Sequence, residues 1–406
     1  MRLPRSAAVA LTAGAALAAT VVGSGAGAAH GSPGRAADDP LYTFVAAPDF
    51  LNQDVADVRG RAGWHEGDPN SWTPQLQSSI DTFLDEVAAQ QPQSVLVTGD
   101  LVEGHWFDDV AETGIFGPAD SARDRAAMLK RAANFYQRVN LQRFTDRGLV
   151  LHAAVGDHDI GDNPWRKAFK RRNVPVLKHV FGKHYTRTPQ GEERYANHPE
   201  GSEWDETAYA VKLSPDVLLV TLDVFHLGQD NVYAEVVGAQ LRWLRDTLAK
   251  AQAEQTKWII VQGHTPIATP VRTRSSSGMS VAQGTSSRLW KVMARYRVDL
   301  YLAGEVHNTT MRQADGITQI STGGLLYAGQ ATYLTAEVYA DRIEFEVREF
   351  DHVAEGPTTD LLWQLGTYDT VGNRRLLPGS HSAGTLTLAA DGSVTSATGK
   401  LAPYTD

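Results

Sequence analysis

Five short stretches of this 406-residue chain place carboxylates and imidazoles just past apolar, strand-like runs. They are Asp49, Gly99-Asp100, Gly156-Asp157-His158-Asp159, Gly263-His264 and Gly304-Glu305-Val306-His307. An aspartate behind a glycine at the end of a buried strand rides on rigid scaffold and points into the crevice at the sheet's carboxyl edge. Aspartate, histidine and glutamate gathered from several strand ends are what a two-metal hydrolytic site needs. Asp100, which ends the apolar run of residues 94–98, is the expected bridge between the metals. The chain has no cysteine, so disulfides and thiolate sites are excluded. Any metal must be held by oxygen and imidazole nitrogen.

The elements that must position these groups follow from periodicity. Residues 41–47 read as the first strand and deliver Asp49. Thr73-Pro74 is a helix start, threonine as cap and proline in the first turn. Leu76, Ile80, Phe83, Leu84 and Val87 then share one helical face, so that strand, helix and the strand before Asp100 form a βαβ crossover. Residues 121–146 read as a second helix and 149–155 as the strand that ends at Asp157. Residues 208–213 and 217–222 form a hairpin around Ser214-Pro215-Asp216. A helix over 239–251, with Leu241, Leu244 and Leu248 inward, leads to the strand at 258–261 and so to His264. Leu289, Val292, Met293 and Tyr296 mark a helix before the strand at 299–303, which delivers Glu305 and His307.

Beyond that point 309–312, 317–321, 332–339 and 342–350 alternate as antiparallel strands. Asp391-Gly392 turns a last hairpin between 385–389 and 393–395. Residues 269–287 are rich in Ser, Thr and Gly and are expected to be a mobile surface connection, with a substrate lid as the sharper alternative.

Composition bounds the rest. Hydrophobic residues at 42% and charged residues at 21% describe a globular protein. A net charge of −9 and a pI of about 5.8 argue against a broad basic surface for duplex nucleic acid or anionic membrane. The one basic run, 165–172 with Arg166, Lys167, Lys170, Arg171 and Arg172, reads as a solvated helix face before a phosphate-binding track. At the start, Met1-Arg-Leu-Pro-Arg5, the uncharged run 7–22 and Ala26-Gly27-Ala28 read as a secretory signal peptide over 1–29, with 30–40 as linker. The alternative is a membrane anchor, for which the run is short. No second apolar run is long enough to cross a membrane, so the mature chain is expected to be secreted. Its oligomeric state is not encoded in any of these patterns.

In their order, the five stations resemble the calcineurin-like metallophosphoesterase superfamily, which includes purple acid phosphatases and many phosphodiesterases. That pattern runs as an aspartate after the first strand, then Gly-Asp, Gly-Asn-His-Asp/Glu, Gly-His and Gly-His-x-His. Gln240-Leu-Arg-Trp-Leu-Arg245 is similar to the family's Q-L-x-W-L stretch. The resemblance covers residues 41–350 and implies an α/β fold, a layered α/β/β/α metallophosphoesterase sandwich, with an antiparallel C-terminal portion. Residues 351–406 then form a small β-rich extension. It implies that Asp49 and His307 hold one metal and Asp157, His264 and Glu305 the other, with Asp100 bridging. His158 would be the catalytic histidine, and Asp159 would either orient it or cap a turn.

The implied activity is an exported, metal-dependent phosphoric-ester hydrolase. A metal-bridging hydroxide would attack a small phosphomonoester or phosphodiester in line, with His158 assisting the leaving group. A catalytically weak extracellular phosphate-ligand binding protein on the same fold is the alternative. An extracellular nuclease or phospholipid-type phosphodiesterase comes third.

Three positions depart from the pattern. Leu51 stands where the family often has a histidine, with Asn52, Gln53, Asp54 and Glu103 as candidates to compensate. Asp157 replaces the usual asparagine, and Glu305 the first histidine of the last motif. Asp49, Asp100, Asp157 and Glu305 then offer four negative charges, which favours harder ions (Mn²⁺, Fe, Mg²⁺ or Ca²⁺) over Zn²⁺.

Overall fold

A strand buried on both faces reads as a continuous apolar run, and this chain has several such runs, each followed by a helix or a site residue. The computed structural model describes residues 39–355 and 374–405, apart from 48, 51–53, 69, 105, 107–113 and 326–330. The signal peptide, nearly all of the linker, Asn52, Gln53 and the middle of the 351–406 segment lie outside the described residues.

The first part of the chain runs β1 (Tyr42–Ala47), α1 (Pro74–Ala89), β2 (Ser94–Val97), α2 (Ala122–Thr145), β3 (Leu151–Ala153) and α3 (Ala168–Tyr185). The second runs β4 (Tyr209–Ser214), β5 (Val217–Thr221), the short β6 (Phe225–Leu227) and β7 (Val232–Ala234), then α4 (Gly238–Ala253), β8 (Trp258–Gln262), α5 (Arg288–Arg295) and β9 (Leu300–Ala303). Eight further strands complete the described chain. They are β10 (Thr309–Ala314), β11 (Ile317–Thr322), β12 (Thr332–Val338), β13 (Arg342–Glu349), β14 (His352–Ala354), β15 (Arg374–Leu376), β16 (His381–Ala389) and β17 (Val394–Ala397).

Two sheets carry the architecture. One has the order β17-β16-β13-β12-β1-β2-β3, the other β10-β11-β9-β8-β5-β4. β1, β2 and β3 run parallel, as do β5, β8, β9 and β11. The parallel pairing of β11 with β9 is a departure from the all-antiparallel expectation for 309–350. β11 returns through a tight hairpin from β10, and so lands alongside β9 in the same direction. β16 and β17 continue the first sheet outward from β13.

The sheets face each other across an apolar layer. Tyr42, Phe44, Ala46 and Leu96 come from one side and Leu219, Trp258, Ile260, Leu300 and Leu302 from the other. Because side chains alternate along a strand, Val45 and Ala47 of β1 turn the other way, into the layer shared with the helices. There α1 presents Leu76, Ile80, Phe83, Leu84 and Val87, and Phe83 meets Phe50 edge-on with ring centroids 5.9 Å apart. The helix starts where the Thr73 hydroxyl accepts the Leu76 N–H at 3.1 Å, a cap worth about 1 kcal/mol. The result is the layered helix, sheet, sheet, helix arrangement.

One inward position differs from its periodicity. Leu241 of α4 is half-buried, and Gln240 is the fully buried neighbour. Its amide brackets the Asp223 backbone, accepting from its N–H at 3.0 Å and donating to its carbonyl at 2.8 Å. A two-point backbone clamp outweighs the burial of one leucine edge.

Candidate metal centre

The five parallel strands β1, β2, β3, β8 and β9 all end at the same edge of the sandwich, as open parallel sheets require for a crevice. Asp49 leaves β1, Asp100 follows β2, Asp157 to Asp159 follow β3, His264 follows β8, and Glu305 and His307 follow β9. The glycines before these residues have a steric reason. A Cβ on Gly156 would stand 2.1 Å from Asp100 Oδ1, and one on Gly304 would stand 2.0 Å from Asp49 Oδ1. Each glycine is therefore the space occupied by another station's carboxylate. Asp100, Glu305 and His307 themselves sit at positive φ (52°, 66° and 50°), a strained backbone costing about 1–3 kcal/mol each that surrounding contacts must hold.

His264 lies at the middle of the cluster and is fully buried. Its Nδ1–H donates to the Thr98 carbonyl at 2.8 Å, which turns Nε2 toward the acids. Nε2 is 2.9 Å from Asp157 Oδ1, 3.5 Å from Asp100 Oδ2 and 3.5 Å from Glu305 Oε2. On the other side His307 Nε2 approaches Asp49 Oδ2 at 3.2 Å, while its Nδ1–H donates to the Arg274 carbonyl at 3.2 Å. Single ligand atoms of Asp49, Asp100 and His264, of Asp157, His264 and Glu305, and of Asp100, Asp157 and His158 all come within 4.8 Å of one another. Of the six residues the sequence offers as ligands, five fall in these groups, and His307 is outside them and touches the cluster through Asp49.

The donor set suits a pair of cations. Asp49, Asp100, Asp157 and Glu305 are each at most 4% exposed. Among the described residues no lysine or arginine pairs with any of them; their ion-pair partners are histidines. Asp49 Oδ2 is buried with no hydrogen-bond partner. Burial, reinforced by Asp157 and Asp49 against the pull of His264, holds Asp100 well above the usual carboxylate range. For Asp157 burial is outweighed by His158, His264 and the Asn163 amide, and its carboxyl falls well below that range. Burial lowers His264, but Asp100, Asp49, Asp157 and Glu305 overcome it and hold the imidazole well above its ordinary value. Buried carboxylates with imidazoles beside them are a donor set that fits metal ions.

His158 stands at the partly exposed edge of the cluster. Its backbone N–H donates to Asp100 Oδ1 at 3.1 Å, and its Nδ1–H donates to the Glu103 carbonyl at 2.5 Å. Burial lowers its pKa, and the carboxylates of Asp100, Glu103, Asp157 and Asp162 more than reverse that. Asp162 Oδ1 lies 3.6 Å from its Nε2, and Lys170 Nζ lies 3.6 Å from Asp162 Oδ2. One lysine of the basic run thus turns inward. Arg171 instead ties off the Trp165 and Arg166 carbonyls at the start of α3.

Asp159 does not reach the His158 ring. It accepts from Gly156 N–H at 2.8 Å and from the Gln137 amide at 2.9 Å, and burial raises it to about 6. Its work is to close the turn after β3. Of the groups proposed to replace the missing first-motif histidine, Asp54 accepts the Glu103 N–H at 3.1 Å and Glu103 sits behind His158, its Oε2 3.9 Å from Nδ1. Neither joins the ligand groups found among the described residues.

Two sets of supporting residues were not foreseen. Asn163 Nδ2 donates to Asp157 Oδ2 at 2.6 Å; the residue lies in the VGDHDIGDN stretch but carries no signal of its own. The segment 269–287, expected to be a mobile connection, is tied along its length. Arg272 N–H bonds Thr310 Oγ1, Arg274 N–H bonds the Val306 carbonyl, Ser276, Ser277 and Met279 reach Glu305, and Ala282 N–H bonds the Ala234 carbonyl.

Over residues 64–309 the sequence matches the calcineurin-like phosphoesterase family. That span takes in Asp100, Asp157, His158, His264, Glu305 and His307, and leaves Asp49 to be placed by the geometry alone. Among solved structures the chain is similar to a dimetal phosphatase from Danio rerio, at 15% identity over 77% of this chain and 97% of that one, with a TM-score of 0.49. It is also similar to PhoD, at 11% identity over 89% of this chain and 73% of that one, with a TM-score of 0.51. Comparison with curated proteins gives no match. At so low an identity the PhoD likeness speaks for the fold only, whereas the family match spans more than half of the sequence and nearly all of the strand-end cluster. The chain therefore belongs to the calcineurin-like phosphoesterases, hydrolases of phosphoric esters whose family chemistry uses a dinuclear metal centre.

Proposed function

We propose that this chain is an exported hydrolase of small phosphomonoesters or phosphodiesters. In this reading Asp49 and His307 would hold one metal ion, Asp157, His264 and Glu305 the other, with Asp100 shared between them, and His158 would assist the leaving group. The observation that supports it is the burial of four strand-end carboxylates with histidines, and no lysine or arginine among the described residues, beside them. Bound metal ions supply Lewis acidity toward the phosphoryl oxygens and an acidified water as nucleophile.

The protein's own groups do the rest. The four carboxylates match the charge of two divalent cations, so the filled site is near neutral and favours Mn²⁺, Fe, Mg²⁺ or Ca²⁺ over Zn²⁺. His158 gives its Nδ1–H to the Glu103 carbonyl, which leaves Nε2 as the nitrogen that donates a proton to the departing oxygen. Glu103 and Asp162, carboxylates outside the ligand set, favour the charged form of that imidazole. Asp162 faces Nε2 at 3.6 Å, and Lys170 in turn pairs with the other oxygen of Asp162. A net charge of −9 makes long polyanions poor substrates and small esters good ones.

The test is metal content of the purified mature protein beside paired mono- and diesterase assays, with Asp100→Ala and His158→Ala in the same batch. Two metals and activity lost in both variants are expected. Metal-free protein whose activity is no higher than that of the variants would overturn the reading. Stoichiometric zinc, with activity restored only by zinc, would overturn the metal preference alone. Export is tested by the N-terminus of protein recovered from culture medium, expected near residue 29; a chain retained in cells and starting at Met1 would refute it.

A further inference from the structure

The segment between β8 and α5 folds back over the ends of both last-motif residues. Glu305 Oε1 accepts three bonds at once, from Ser276 Oγ at 3.0 Å, Ser277 Oγ at 2.5 Å and the Met279 N–H at 3.0 Å. Each hydroxyl is itself aimed. Ser276 Oγ accepts the Gly278 N–H at 2.9 Å and Ser277 Oγ the Met279 N–H at 3.3 Å, so that each hydroxyl proton points to the carboxylate. Glu305 Oε2 is left facing His264 Nε2 at 3.5 Å. Two residues upstream of Ser276, the Arg274 carbonyl takes the His307 Nδ1–H and fixes Nε2 as the nitrogen facing Asp49, while the Arg274 N–H anchors the turn to the Val306 carbonyl.

We infer that residues 274–279 are a positioning strap that makes Glu305 a one-oxygen ligand and thereby sets which cation the site prefers. The inference rests on the reading of Glu305 as a metal ligand. A free carboxylate can swing between one- and two-oxygen coordination, and the large Ca²⁺ ion, which takes six to eight oxygens, gains most from the second. Three donors on Oε1 occupy its lone pairs and draw off part of its charge, so the second mode is closed. Mn²⁺, which needs fewer ligands, keeps everything it requires from Oε2, and the strap therefore discriminates against Ca²⁺. Ser276 and Ser277 act through Glu305 and are positioning residues. Ser276 is only half-buried and Ser277 exposed, so both tolerate truncation to alanine.

The experiment is calorimetric titration of the metal-free mature protein with Mn²⁺ and, separately, with Ca²⁺, for the parent, Ser276→Ala/Ser277→Ala, Ser277→Thr and Glu305→Gln. The double alanine variant is expected to weaken Mn²⁺ binding about 10- to 100-fold, the range for partners of metal ligands. It should weaken Ca²⁺ binding less or strengthen it, so that the Mn²⁺/Ca²⁺ ratio narrows by about 10-fold or more. Ser277→Thr keeps the hydroxyl and should stay near the parent. Unchanged affinities and ratio in the double variant, with Mn²⁺ binding weakened in Glu305→Gln, would overturn the strap and leave Glu305 as a ligand. Parent-like Mn²⁺ binding in Glu305→Gln would instead overturn the ligand reading beneath it. Should the double variant not fold, as judged by circular dichroism, Ser276→Ala alone carries the same comparison: a several-fold loss for Mn²⁺ supports the strap, and no change refutes it.

Discussion

Two sets of buried carboxylates lie just past parallel strands, and they are balanced in opposite ways. Asp223, beyond β5, is fully buried and meets Lys178 Nζ at 2.7 Å, with Thr207 Oγ1 donating at 2.6 Å and the Phe225 N–H at 2.9 Å. One negative charge faces one positive charge, and both carboxylate oxygens accept a hydrogen bond. Asp49, Asp100, Asp157 and Glu305, beyond β1, β2, β3 and β9, have only imidazoles as counter-charges among the described residues. The protein thus holds one internal charge for its own stability and leaves the other set in debt for a ligand. A strand-end aspartate is therefore not a site by position; its counter-charge decides.

The largest separation between the two sets is expected in activity. Asp100→Asn should lower kcat/KM by at least about 10³-fold, or about 4 kcal/mol of transition-state stabilisation. Thermal melting of the metal-free protein should stay level or rise, because one of four crowded acids is gone. Asp223→Asn should do the reverse. It strands a buried ammonium and should cost about 3–5 kcal/mol in urea unfolding of the metal-free protein, with metal affinity close to the parent. If Asp100→Asn destabilised the metal-free fold as much as Asp223→Asn, the contrast would be broken.

Histidines sharpen it further, because burial pushes His152 and His184 down while neighbouring acids push His158 and His264 up. His152 on β3 is buried against Tyr195, with Nδ1 3.0 Å from its hydroxyl, and burial together with Arg194 depresses it from 6.5 to about 4. The unfolded chain binds this proton first as pH falls. The stability it represents is full above about pH 6.5 and is lost as pH drops through about 4, up to about 3 kcal/mol. Urea midpoints of the metal-free parent and His152→Gln should converge across that window; equal pH slopes would refute the assignment. His264 carries the opposite sign, raised by the acids around it.

What was legible in the sequence and what was not divides along the same physical line. The strand ends and their glycines are local: an apolar run, a break, and a residue too small to hit a neighbouring carboxylate. Asp49, Asp100, Asp157, His264, Glu305 and His307 could be named for that reason. The supports could not. Asp159 bonds Gln137 across 22 residues, Ser276 and Ser277 reach Glu305 across 29 and 28, and Gln240 displaces a leucine because of Asp223. Ser276 and Ser277 lie in no period or motif, and the motifs that contain Asp159 and Gln240 do not say which group each binds. The same holds for β11, whose alternation marks a strand but whose parallel partner is chosen by the hairpin that precedes it.

The finest test compares two bonds of equal length. Asn163 Nδ2 donates to Asp157 Oδ2 at 2.6 Å, and Thr207 Oγ1 donates to Asp223 Oδ2 at 2.6 Å. Chemically these are the same support, a neutral donor holding a buried carboxylate, yet they should report to different quantities. Thr207→Val removes a bond to a charge that must remain inside whatever is bound, and should cost about 2 kcal/mol of folding stability with metal affinity unchanged. Asn163→Ala loosens a carboxylate that His158 and His264 still hold charged in the metal-free protein. It should weaken metal binding about 10-fold, near 1.4 kcal/mol, while the metal-free melting temperature barely moves. Calorimetry and urea unfolding on both variants decide it. Should Asn163→Ala lose stability and keep its metal affinity, Asp157 would belong with Asp223 among the structural carboxylates, and the cluster would have one fewer charge to offer a cation.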